Sequence, residues 1–98
     1  MLDDAKIRAV RDSLDHECPN CNIYELFDSK STTQIFRIDD MEGRVLHLVI
    51  VSKEFFDDHS VADIPVFLQE HDLGEALRQA GPSSRVLVTN DGLEIQPQ

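Results

Sequence analysis

Hydrophobic positions recur first at helical spacing and then at strand spacing. Over residues 3–17, Ile7, Val10 and Leu14 return at steps of three and four, and Leu2 and Ala5 extend the stripe. Asp4, Lys6, Arg8, Arg11, Asp12 and Asp15 fill the other faces. Asp3 and Asp4 fall in the first turn, where a carboxylate meets the positive end of the helix dipole. Pro19 ends this helix at about Glu17 or Cys18, because proline lacks the amide hydrogen and disfavours helical geometry in the residue before it.

Three strands are expected next. Residues 22–28 alternate imperfectly through Ile23, Tyr24, Leu26 and Phe27, and Ser29-Lys30-Ser31 supplies a polar turn. Residues 33–39 carry Ile35, Phe36 and Ile38 around Gln34 and Arg37, and Asp40-Met41-Glu42-Gly43 makes a tight connection. Residues 44–52 are apolar on nearly both faces, the pattern of a central strand covered on two sides. Short links favour an antiparallel meander.

The apolar phase then shifts within one stretch. At about 100° per residue, Val61, Ile64, Phe67 and Leu68 cluster on one side, with Leu73, Ala76, Leu77 and Ala80 nearly opposite. One straight helix cannot bury both sets. Asp72-Leu73-Gly74-Glu75 reads as a capping box that restarts the helix, and Asp63 reads as the cap ahead of Pro65. Two short helices, about 64–71 and 73–80, are therefore predicted, with Gly81-Pro82 ending the second. Arg85–Thr89 is a strand, Asn90-Asp91-Gly92 a turn and Leu93-Glu94-Ile95 a candidate last strand, with Pro97 and Gln98 frayed. The predicted fold is α+β: an N-terminal helix, a three-stranded antiparallel meander, two short helices and a C-terminal strand or hairpin.

Length and composition add limits. Ninety-eight residues, 41% apolar and 29% charged, fit a single domain spanning 1–98. The longest apolar run, Val45 to Val51, is broken by His47 and is far too short to cross a bilayer. The first residues carry neither a basic nor an apolar leader segment, so a cytoplasmic protein with reduced cysteines is expected. Nineteen acids against nine Lys and Arg give a net charge of −10. That field repels nucleic-acid phosphate and anionic lipid, and steers towards a basic protein partner. Residues 53–80 hold seven acids and two bases, a net of −5, so half the charge sits in the two-helix segment.

Candidate chemistry is sparse. Cys18-Pro19-Asn20-Cys21 has the spacing of half a zinc knuckle or of a thioredoxin-type dithiol. Zinc, the metal this pair suits, requires two further ligands, which a second chain would have to supply. A redox pair would place its attacking thiol at a helix N-terminus, whereas Cys18 lies at a helix C-terminus beside Glu17. The preferred reading is two small apolar fillers at a corner, and no cofactor is expected. His16, His47, His59 and His71 form no recognisable ligand set, and no nucleophile elbow or phosphate-cradling loop is visible. Asp39-Asp40 and Asp57-Asp58-His59 read as solvated turns. Of the adjacent Phe55 and Phe56, one should enter the core, and the other is either left for a partner or covered by the 64–71 helix.

Residues Val49-Ile50-Val51-Ser52-Lys53-Glu54-Phe55 resemble the strand end of BolA-type domains. The Arg-His pair of those domains is missing, with Ile64-Pro65 near its place, so their iron–sulfur role is not implied. Size, acidity and element order are also similar to those of small secretion chaperones, which are dimeric and bind extended segments. The expected function is a non-enzymatic protein-binding or regulatory module, with Glu54, Phe56, Asp57, Asp58 and Glu70 as its partner face. A metal- or redox-linked protein using Cys18 and Cys21 is the alternative, and a homodimer is compatible with either.

Overall fold

In the computed structural model, residues 3–81 and 84–96 are described. Leu2, Pro82, Pro97 and Gln98, to which the sequence assigned a stripe extension, a helix stop and a frayed end, lie outside that range. The order is α1 (Asp4–Glu17), β1 (Asn22–Asp28), β2 (Thr33–Asp39), β3 (Val45–Ser52), α2 (Lys53–Asp58), α3 (Asp63–Glu70), α4 (Leu73–Gln79), β4 (Ser84–Thr89) and β5 (Gly92–Gln96). The fold is α+β, with the expected meander and a C-terminal hairpin closed around Gly92 at φ +127°.

The strands form one sheet in sequence order. β1, β2 and β3 are antiparallel neighbours, β4 lies parallel to β3, and β5 is antiparallel to β4. A parallel neighbour cannot follow a tight turn, so the chain crosses between β3 and β4 through three helices. Side chains alternate across a strand, and the registers put Ile23, Phe36, Ile38, Val49, Val51, Val86 and Val88 on one face. All seven are buried and share a single core with Val10, Leu14, Phe55, Phe56, Ile64, Leu68, Leu73 and Leu77 from the helices. The helices therefore cover one face of the sheet. Leu48 and Ile50, on the opposite face of β3, are only half-buried. This corrects the expectation of a strand covered on both sides.

Local chemistry accounts for the element boundaries. Asp3 is the N-cap of α1, its carboxylate accepting from the Ala5 amide at 2.9 Å, so it precedes the first turn. The buried stripe of α1 runs through Ala9, Val10 and Leu14, whereas Ala5 is exposed. The α2 helix was not predicted. Ser52, the last residue of β3, accepts from the Phe55 amide at 3.2 Å and starts a helix directly off the strand. That geometry buries Phe55 and Phe56 together at 0% and 1% exposure, so Phe56 is not a partner residue. Asp63 is not a cap either. Ala62 is the residue before α3 and makes no side-chain cap bond, while the Asp63 amide donates to the hydroxyl and carbonyl oxygens of Ser60. The break between α3 and α4 is also not a capping box. Asp72 is left-handed, at φ 55° and ψ 57°, and its side chain caps nothing. Aspartate is among the few residues that tolerate that conformation.

Replacing a fully buried phenylalanine leaves a cavity, and such changes cost about 3–5 kcal/mol. Phe56→Ala is expected to lose stability on that scale in urea unfolding. Val66→Ala, at a side chain 53% exposed, should stay within about 0.5 kcal/mol.

Candidate interaction surfaces

Glu54, Asp57, Asp58 and Glu70, the acids of the expected partner face, all stay at the surface, whereas Asp39, expected in a solvated turn, is buried at the end of β2. Asp57 pairs with Lys53 at 2.7 Å, and this hydrogen bond raises the lysine pKa. Asp58 accepts from Asn90 Nδ2 at 2.6 Å, tying α2 to the β4–β5 turn. Glu54 and Glu70 have no ion pair or side-chain hydrogen bond among the described residues, and the same holds for Asp63 and Asp72. The other base of residues 53–80, Arg78, is engaged by Glu75, whose pKa the contact lowers. Both bases of residues 53–80 are thus spent internally. Glu54, Asp63, Glu70 and Asp72 are the carboxylates of this segment left facing solvent without an ion pair among the described residues.

Next to these acids runs a groove of about 630 Å³ between α1 and α3, closed at one end by α4. Ala5, Ala9, Val61, Pro65, Leu68 and Leu73 give it an apolar lining. Arg8, Asp12, His16 and Glu17 stand along its α1 side. The groove exists because α1 turns small side chains, Ala5, Ala9 and Ser13, towards α3 at successive steps of four. That spacing was the one sequence signal for it, and of the three residues only Ala5 entered the predicted stripe.

The uncovered sheet face is a second surface. Leu26, Ile35, Ile50 and Leu87 lie opposite one another in a row across β1 to β4, beside the row Tyr24, Arg37, Leu48 and Arg85. Tyr24 and Leu26 are 50% and 61% exposed. Arg37 stacks over the Tyr24 ring at 4.7 Å and pairs with the buried Asp39 at 3.1 Å. Asp40 accepts from the Glu42 and Arg44 amides and holds its loop, which lowers its pKa. The apolar residues on both faces of residues 22–28 were the overlooked signal, since an edge strand leaves part of each face bare.

Cys18 and Cys21 are joined as a disulfide at the corner after α1, with Cα atoms 5.5 Å apart. The Cys21 amide donates to the Cys18 carbonyl at 3.1 Å, and this turn brings the sulfurs together. Both side chains also pack against the core, as the filler reading had it, although the thiols were expected to be reduced. Among the described residues no group of three or more His, Cys, Asp and Glu could hold a metal ion. His59 and His71 belong to an aromatic stack instead, at 4.3 Å from Phe55 and 4.0 Å from Phe67. The Nδ1 atom of each faces the carbonyl oxygen four residues earlier, at 2.8 and 2.9 Å. His47 lies on the helix-facing side of β3 between Ile38 and Ser84, and its buried Nδ1 has no hydrogen-bond partner among the described residues.

No family model matches the chain, and no curated protein or solved structure is similar to it.

Burial lowers the His47 pKa from its ordinary 6.5. The folded chain keeps this ring neutral at a pH where the unfolded chain protonates it, so stability falls as the pH drops below about 6.5. Unfolding free energy measured from about pH 7.5 to about pH 5.5 should decline less steeply in His47→Gln than in the parent.

Proposed function

We propose that this chain is a non-enzymatic protein-binding module that takes a basic, amphipathic segment in the groove between α1 and α3. The observation that carries the reading is an apolar groove bordered by helices on which Asp63, Glu70 and Asp72 have no ion pair among the described residues. Such a groove gains by burying an apolar stripe, and the surrounding field draws positive flanks towards it. The two helices that form it also carry Asp4, Asp15, Asp63 and Glu70 outside the groove. A neutral or acidic segment would gain the burial and lose the attraction.

Titration with a Leu/Lys amphipathic peptide tests this. Saturable binding is expected, weakening by at least about tenfold as salt rises through the screening range. Ala5→Trp fills the groove from an exposed position and should abolish the binding without unfolding the chain. Equal affinity for a Leu/Glu peptide, or binding untouched by Ala5→Trp, contradicts the reading.

A second reading, a redox-linked protein, is favoured by the Cys18–Cys21 disulfide. The pair caps the C-terminus of α1, where the helix dipole disfavours a thiolate, so such a couple would react slowly as a nucleophile. Alkylation should find no free thiol in the isolated protein and two after reduction. Two thiols that stay free after mild oxidation remove this reading.

A further inference from the structure

We infer that β1 is a self-pairing edge, and that two copies of this chain join antiparallel through it, extending two five-stranded sheets into one. This rests on the edge strand and not on the α1–α3 groove, so either can fail without the other.

β1 ends the sheet and is paired on one side only, with β2, in unbroken register over all seven residues. Its free side presents a row of unpaired backbone donors and acceptors. Natural edges are usually blunted by proline, lysine, a bulge or short length. Asn22-Ile23-Tyr24-Glu25-Leu26-Phe27-Asp28 has no proline and no lysine, and its pairing shows no bulge. It also carries Tyr24, Leu26 and Phe27, at 50%, 61% and 47% exposure. The other edge, β5, is shorter and has no exposed large hydrophobic residue.

The sequence of β1 favours its own copy as the occupant. In a two-fold antiparallel pair, opposite residues must point to the same face, which allows only registers centred on a residue. Centred on Glu25, all seven residues pair. Tyr24 then meets the partner's Leu26 on the open face, and Ile23 meets the partner's Phe27 on the helix face. Centring on Tyr24 or Leu26 shortens the ladder and sets apolar residues against Asn22, Glu25 or Asp28.

The cost of the favoured register is Glu25 against the partner's Glu25. Arg11 Nη1 already sits 2.8 Å from the Glu25 carboxylate, so each copy brings a cation to that point. Net charge does not oppose the arrangement as strongly as −10 suggests. The acidic α2 packs on β3 and β4, and α4 packs on β5, away from the β1 edge, whereas the helix on β1 is α1, whose four acids are nearly balanced by Lys6, Arg8 and Arg11. Joining at β1 keeps α2 and α4 of the two copies at opposite ends of the extended sheet.

Sedimentation of the whole chain from micromolar to millimolar concentration tests the pairing. The mass is expected to rise from 11.1 kDa to twice that value. Leu26→Lys sets a lysine against the partner's Tyr24 and should weaken the dimer at least tenfold. Combining Leu26→Lys with Tyr24→Glu sets opposite charges across the seam, and should restore the dimer and make it salt-sensitive. Both positions are exposed, and circular dichroism checks that each variant is folded. A chain that stays monomeric throughout overturns the inference. So does a dimer that neither substitution changes, because it would then use the open sheet face or the groove.

Discussion

The parallel ladder between β3 and β4 constrains the rest of the molecule. Parallel neighbours require a crossover, and here it carries three short helices on one side of the sheet. Once those helices and α1 share that side, every large buried side chain of the sheet must face them. The opposite face keeps Leu48, Ile50 and Leu87 at half burial, and the edge keeps Tyr24 and Leu26 bare. One pairing thus separates a covered face from an open one.

The crossover is anchored at its start. Ser52 turns the chain from strand to helix, and α2 drives Phe55 and Phe56 into the core within one turn. Phe55 then packs edge-on against Phe67 of α3 at 5.0 Å and stacks on His59 at 4.3 Å. Lys6 of α1 donates to the Phe56 carbonyl at 2.6 Å, satisfying a carbonyl near the end of α2. Fully burying a phenylalanine contributes about 1.5–3 kcal/mol, so these two side chains hold the layer more firmly than its surface ion pairs do.

Much of this was legible in the chain. α1 declared itself through its spacing and Pro19, and β1, β2 and β3 through alternation and the turn at Gly43, which takes φ +86°. These signals are local, and local signals survive folding. The missed features are non-local or very short. Six residues directly after a strand give no helical period, so α2 was invisible although Ser52 is a good cap. Asp72 fits a capping box in sequence, yet the tertiary turn between α3 and α4 sets it left-handed. The apolar run of β3 implied cover on two faces, because sequence does not distinguish a buried face from one left for another molecule. The acids of residues 53–80 lie at the surface, but Asp57 and Asp58 have partners in Lys53 and Asn90, which no sequence signal showed.

The central claim is that the sheet is covered on one side only. Solvent paramagnetic relaxation of methyl groups along β3 and β4 tests it most directly. The account predicts a period of two: strong relaxation at Leu48, Ile50 and Leu87, and little at Val49, Val51, Val86 and Val88. Equal protection of both sets would contradict it, since something would then cover the face that the structure leaves open.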